Sequence, residues 1–184
     1  MMSQVYKLKI DAKHINPKIT RTILVPEDIT FYDLHRIMLK LFGFDGCHLY
    51  FFRINRELDC ISEFEDCLDA DEIMLKEYLM DYPKISYIYD MGDNWQFTIT
   101  QQRVVPYNSK INYPHIVKSQ GGFILEDCGG LWGYTTIATW CRDKTKTNEQ
   151  ELIDFFGDAE VLENYRDFDP DYFDKDNIKF HENF

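Results

Sequence analysis

Residues 85–99, ISYIYDMGDNWQFTI, hold two runs of alternating side chains around one polar corner, and the fold turns on how they are read. Ile85, Tyr87 and Tyr89 alternate with Ser86, Ile88 and Asp90, and Trp95, Phe97 and Ile99 then alternate with Gln96, Thr98 and Thr100. A period of two puts each apolar triplet on one face, so the segment predicts a β-hairpin with one buried side. In the corner DMGDNW, Gly92 is expected to supply positive φ, and Asp90, Asp93 and Asn94 to hydrogen-bond nearby amides as Asx turns.

Toward the N-terminus, VYKLKI (5–10) sets Tyr6, Leu8 and Ile10 against Val5, Lys7 and Lys9, a half-buried strand, and Asn16-Pro17 marks the turn that follows. The return strand ITRTILVP places Ile19, Ile23 and Val25 on one face. Arg21 shares that face. A guanidinium there needs a carboxylate or carbonyl, because burying it unpaired is very costly, and a carboxylate partner is the expectation. Thr30 and Asp33 form an approximate capping box ahead of Leu34, Ile37, Met38, Leu41 and Phe42, which share one helical face, and Gly43 ends the helix. HLYFFRI (48–54) then reads as an aromatic strand, completing a ββαβ unit of β-grasp-like arrangement. Residues 55–72 read as a polar, acidic connection and 73–80 as a short helix.

Toward the C-terminus, residues 106–123 carry two prolines and a Gly pair without periodicity, which predicts a long loop. After EDCGG (126–130) helices are expected at 131–141 and after Thr147, with a Thr147–Gln150 capping box and Gly157 as the stop. A short helix near 159–166 and an acidic tail complete the chain. The fold class is therefore α+β: the ββαβ unit extended by a long hairpin into one mixed or antiparallel sheet. Residues 1–142 form the core domain, and 143–184 an acidic helical segment packed on it.

The 184 residues carry a formal net charge of −12, and residues 143–184 alone hold 13 acidic and 5 basic side chains. Such acidity argues against direct nucleic-acid or anionic-membrane binding, which depends on Lys and Arg. No long apolar run and no signal-peptide core are present, so a cytoplasmic protein is expected. The five cysteines are odd in number and never spaced CxxC, which predicts reduced, mostly buried thiols.

Two acidic clusters stand out as chemistry. Asp90 and Asp93 in the hairpin, with Glu126 and Asp127 before the glycine pair, form one acidic pocket if the loop folds back over the hairpin, with Arg21 as its neutralising partner. Such carboxylates suit Mg²⁺ or Ca²⁺, or acid/base work by a carboxyl of raised pKa beside an ionised one. No EF-hand spacing is present. The plainer reading is a well-made turn and a helix cap. Cys128 as a nucleophile would need a base brought by the fold, and His35 and His48 read as hydrogen-bonded residues at the core edge.

The ordered blocks PKITRTILVP, TFYDLHRIMLKLFGF, HLYFF, YIYDMGDNWQFTI, EDCGGLWGY and DFDPDYFD resemble the plasmid pRiA4b ORF-3-like family, whose members are associated with plasmids and transposable elements. The pattern departs at Met91, Phe44, Ile124 and Leu125, where the family favours Phe, Trp and two prolines. It also lacks a cysteine shortly before Cys128, which removes support for a paired-thiol or zinc role there. The resolvase label given to some members finds no nucleophilic serine beside an arginine cluster in this chain.

These readings together predict a non-enzymatic binding or interaction domain with a protein or small-molecule ligand and no required cofactor. Its surface is expected to include Arg21, His35, Asp90, Asp93, Trp95, Glu126, Asp127 and Tyr134. The rival expectation is a metal-assisted hydrolase or nuclease that uses Asp90, Asp93, Glu126 and Asp127 around a divalent cation.

Overall fold

The computed structural model describes residues 4–55, 60–143 and 149–180. The strands are β1 (Gln4–Ala12), β2 (Thr20–Pro26), β3 (Tyr50–Arg53), β4 (Cys60–Ser62), β5 (Leu68–Asp69), β6 (Lys84–Tyr89), β7 (Trp95–Pro106) and β8 (His115–Gln120). The helices are α1 (Phe31–Phe42), α2 (Lys76–Leu79), α3 (Gly130–Asp143) and α4 (Glu149–Phe156), followed by a 3-10 helix over Ala159–Tyr165. The strands make one sheet of order β5-β4-β3-β6-β7-β1-β2-β8. Every pairing is antiparallel except β4 with β5, so the sheet is mixed and the class is α+β. The β6–β7 hairpin lies inside the ββαβ unit, between β3 and β1.

One sheet face carries the core. Tyr6, Leu8, Ile10, Ile23, Phe52, Tyr87 and Phe97 are buried there against Leu34, Ile37, Met38 and Leu41 of α1. That helix starts as its sequence dictates: Thr30 Oγ1 accepts from Asp33 N at 3.0 Å and Asp33 Oδ2 from Thr30 N at 3.1 Å, a cap of about 1 kcal/mol. It ends at Gly43 in the left-handed region (φ 86), whose N–H reaches Leu39 O. Leu152 and Leu162 of the C-terminal segment join the same core, with Phe168, Phe173 and Ile178 packed against it.

Several expectations are corrected. The supposed loop at 106–123 contains β8, which pairs with β2 as an edge strand. Only Ile116 of β8 is buried, so no alternation marked it. The connection at 55–72 contains β4 and β5, both too short to show a period. Cys60 and Cys67 are bonded to each other, because the bend between β4 and β5 brings their Cα atoms to 4.9 Å, whereas Cys47 is exposed. The expected helix at 73–80 is reduced to Lys76–Leu79. Thr147, and with it the second capping box, lies outside the described residues.

Arg21 is the largest correction. It is fully buried, and its partners are carbonyls instead of a carboxylate. Nε donates to Leu41 O (3.1 Å), one η nitrogen to Thr20, Gln120 and Gly121 O (3.0, 2.8 and 3.1 Å), and the other to Gly122 O (2.6 Å). The Phe173 ring lies 3.7 Å from the guanidinium carbon. Burial lowers its pKa to about 10, which leaves it charged at neutral pH. A carbonyl shell holds such a cation because the guanidinium fork offers five N–H donors, and the ends of α1 and β8 leave backbone acceptors unpaired.

Candidate functional site

The hairpin corner is an Asx turn, built differently from expectation. Positive φ falls on Asp90 (57) and Asn94 (55), not on Gly92. Asp90 Oδ1 accepts from Gly92 N at 2.8 Å, and Asp90 O accepts from Asn94 N at 2.7 Å. Asp and Asn tolerate the left-handed region best after glycine. At Gly92 a Cβ would stand 3.3 Å from Asp90 Oδ1, a tight contact that a small shift of the carboxylate would relieve.

The EDCGG loop meets this corner. Gly130, at φ 64, lies so close to the hairpin that a Cβ would come within 2.8 Å of Asp93 O. A Cβ on Gly133 would overlap Cys128 O at 1.6 Å. The glycines thus let α3 begin directly against the hairpin. Burial, with the charges of Asp90 and Asp127 adding to it, raises the Asp93 pKa, and the amides of Gly130 and Cys128 oppose the rise. Among the described residues, Asp93 Oδ2 and the buried Trp95 Nε1 find no hydrogen-bond partner.

Glu126 fastens a third segment. Its Oε1 accepts from Tyr89 Oη at 2.7 Å and its Oε2 from Asp45 N at 2.6 Å. Tyr89 Oη also accepts from Gly46 N at 3.1 Å. Burial raises the Glu126 pKa, and the Tyr89 and Asp45 donors pull against it. Fixed in this way, the turn before β3 presents His48 to the corner, with Nδ1 3.7 Å from Asp90 Oδ1 and Nε2 3.4 Å from Asp127 Oδ1. One donor atom each from His48, Asp90 and Asp127 lies within 4.8 Å of the others. Asp127, like Asp90, has positive φ (52).

Of the residues singled out by sequence, Asp90, Asp93, Glu126 and Asp127 share this corner, but Glu126 is engaged with Tyr89 and Asp45. Trp95 packs edge-on against the buried Tyr134 at 6.2 Å, and Tyr134 Oη donates to Phe123 O, so both rings lie beneath the corner. His35 is buried, stacked on Tyr50 at 3.5 Å, with Nδ1 2.8 Å from Tyr87 Oη. Arg21 spends its donors on carbonyls, as described. Cys128 is buried with its Sγ on Leu125 O, and burial pushes the thiol up to about 12, the opposite of an activated nucleophile. His48, read from the sequence as a hydrogen-bonded residue at the core edge and left out of the expected site, is the residue that the structure adds to it. Its place at the head of the family-like block HLYFF was the available signal. A cavity of about 890 Å³ lies elsewhere, bordered by Arg36, His115, Lys175 and Lys179, so the corner stands on its donor set and not on enclosed volume.

Comparison with known proteins fits this anatomy. Residues 4–177 match the family described as plasmid pRiA4b ORF-3-like protein. The chain belongs to this family. The chain is 27% identical over 166 residues to "Uncharacterized protein y4hQ" of Sinorhizobium fredii, covering 87% of this chain and 84% of the relative. Its fold is similar to a crystal structure of the protein of unknown function MM3350 from Methanosarcina mazei Go1, with TM-score 0.82 and 30% identity, covering 98% of this chain and all of that one. Among the described residues, no helix is long and apolar enough to cross a membrane.

Proposed function

We propose that this pRiA4b ORF-3-like chain is a non-enzymatic binding domain whose site is the corner shared by the hairpin, the EDCGG loop and the turn before β3. Its ligand is a divalent cation, or a ligand that carries one, held by His48, Asp90 and Asp127. The observation behind this reading is that these three donors, from three separate segments, lie within 4.8 Å of one another. An imidazole with two carboxylates suits Zn²⁺ or Mn²⁺ better than the Mg²⁺ or Ca²⁺ that carboxylates alone would favour. Metal–ligand bonds of roughly 2.0–2.2 Å put neighbouring donors about 3.4 Å apart, so one nitrogen of His48 and the two carboxylates would have to draw in from separations of up to 4.8 Å. Asp93 and Glu126 beside them make the corner anionic, which turns away anionic ligands. The expected setting is the cytosol.

Thermal unfolding with and without Zn²⁺, Mn²⁺, Mg²⁺ and Ca²⁺ tests the proposal. Zn²⁺ or Mn²⁺ at about a hundredfold its Kd is expected to add about 2.7 kcal/mol to stability. Asp127→Asn should abolish that gain while leaving the metal-free midpoint in place, since the Asp127 side chain is 78% exposed. No shift with any of the four ions would remove the basis of the reading.

A metal-assisted hydrolase or nuclease is the second reading, favoured by one observation. The Asp127 side chain is 78% exposed, so a cation held by His48, Asp90 and Asp127 would face solvent and could supply an activated water. Turnover of an activated phosphodiester by the metal-loaded chain, lost in Asp127→Asn, would move the protein into that class.

A further inference from the structure

We propose that the helix-free face of the sheet is a binding surface for single-stranded nucleic acid. The strand register carries the argument. Side chains alternate between faces, so the partners of outward residues on β1 also point outward. One row crosses five strands as Lys84, Thr100, Lys9, Thr22 and Lys118, on β6, β7, β1, β2 and β8. The next positions along add Lys7 paired with Arg103, and Arg53 paired with Ser86. On the six strands from β3 to β8 in sheet order, Lys7, Lys9, Arg53, Lys84, Arg103 and Lys118 thus project from this face, and Asp11 is its one acid. Asp11 is already paired with Lys9 at 2.7 Å. Arg53, Lys84, Arg103 and Lys118 are exposed.

In a chain of net charge −12, this face is a basic island. The acidity that argued against nucleic acid is a sum over the whole chain, and alternation along the strands separates the two signs onto different faces. With neighbouring strands about 4.8 Å apart, Lys84, Lys9 and Lys118 recur about every 10 Å across the sheet. Thr100, half-buried, and Thr22, buried, stand between them as neutral spacers.

The face also offers more than charge. Phe51 and Ile88 are cross-strand neighbours on it, and they border a shallow depression of about 270 Å³ together with Lys13, Ser86 and Gln96. Arg53 lies over the Phe51 ring at 5.1 Å. An open sheet with an aromatic shelf among cations suits bases that stack while their phosphates meet Lys and Arg. A carboxylate-rich peptide would use the cations but not the shelf.

The test is fluorescence anisotropy of the full chain with a labelled uridine or thymidine oligonucleotide at 50–200 mM salt, values set by the assay and about the range where counterion release is read. Binding should weaken steeply with salt, with a log–log slope of roughly −3 for about four phosphate contacts. The triple variant Lys9→Glu, Lys84→Glu, Lys118→Glu should bind at least about tenfold more weakly, whereas the charge-matched Lys40→Glu, Lys76→Glu, Lys110→Glu should bind as the parent does. Ultraviolet crosslinking should map to the peptide containing Phe51, a readout independent of variant folding. The proposal is overturned by any of three results: no binding at 50 mM salt (about the lowest ionic strength of the assay), equal loss in both triple variants, or displacement by poly-glutamate as effective as by the oligonucleotide. That last result would assign the face to an acidic protein.

Discussion

His35 shows how a single buried group couples the fold to pH. Its ring is stacked on Tyr50 and bonded to Tyr87, and burial lowers its pKa from 6.5 to about 4. Between those values the unfolded chain takes up a proton that the folded chain refuses, so stability falls as pH drops from about 6.5 toward 4. The loss from this one residue is roughly 3 kcal/mol. Urea unfolding at neutral pH and near pH 4 should therefore show a markedly smaller acid loss in His35→Phe than in the parent (roughly the same 3 kcal/mol difference). Equal acid sensitivity in the two would show that the imidazole is not the group responsible. The sequence placed His35 at the edge of an apolar helix face, but Tyr50 and Tyr87 come from β3 and β6. A depressed pKa depends on burial by partners far along the chain, and local pattern does not report it.

At the scale of elements, the contact between the hairpin and α3 depends on glycine. Gly133→Ala puts a methyl group onto Cys128 O, a backbone atom with no rotamer to yield. The variant should lose about 3 kcal/mol or more, the upper end for overpacking, seen as a lower thermal midpoint with or without metal. A midpoint unchanged within error would mean that α3 can slide away from the EDCGG loop. Elements with a strong period or a cap were legible: β1, β2, the β6–β7 hairpin and α1 stand where alternation, capping box and terminal glycine put them. β4, β5 and β8 were not, because strands that are short or buried at one position carry no periodicity, and their pairing is supplied by neighbours already in the sheet.

Over the whole molecule, the acidic C-terminal segment is built into the core around Arg21. Phe173 lies over the guanidinium, Gly122 N donates to Pro170 O at 2.8 Å, and Leu152 and Leu162 are buried. We expect residues 143–184 to unfold together with residues 1–142. Phe173→Ala should lower one shared transition by about 2 kcal/mol, below the usual cost for a fully buried ring, as followed by near-ultraviolet and far-ultraviolet circular dichroism. A separate early transition of the segment would divide the chain into two cooperative units. By itself the sequence determined the family, the α+β class, the hairpin and the first helix, because periodicity, caps and ordered motifs are local properties written along the chain. Only the tertiary structure decided that carbonyls satisfy Arg21, that Cys60 bonds Cys67, that His48 joins Asp90 and Asp127, and that one sheet face is basic. Each of these depends on which distant segments the sheet register and the glycine contacts bring together, and side-chain chemistry is set by those neighbours in space.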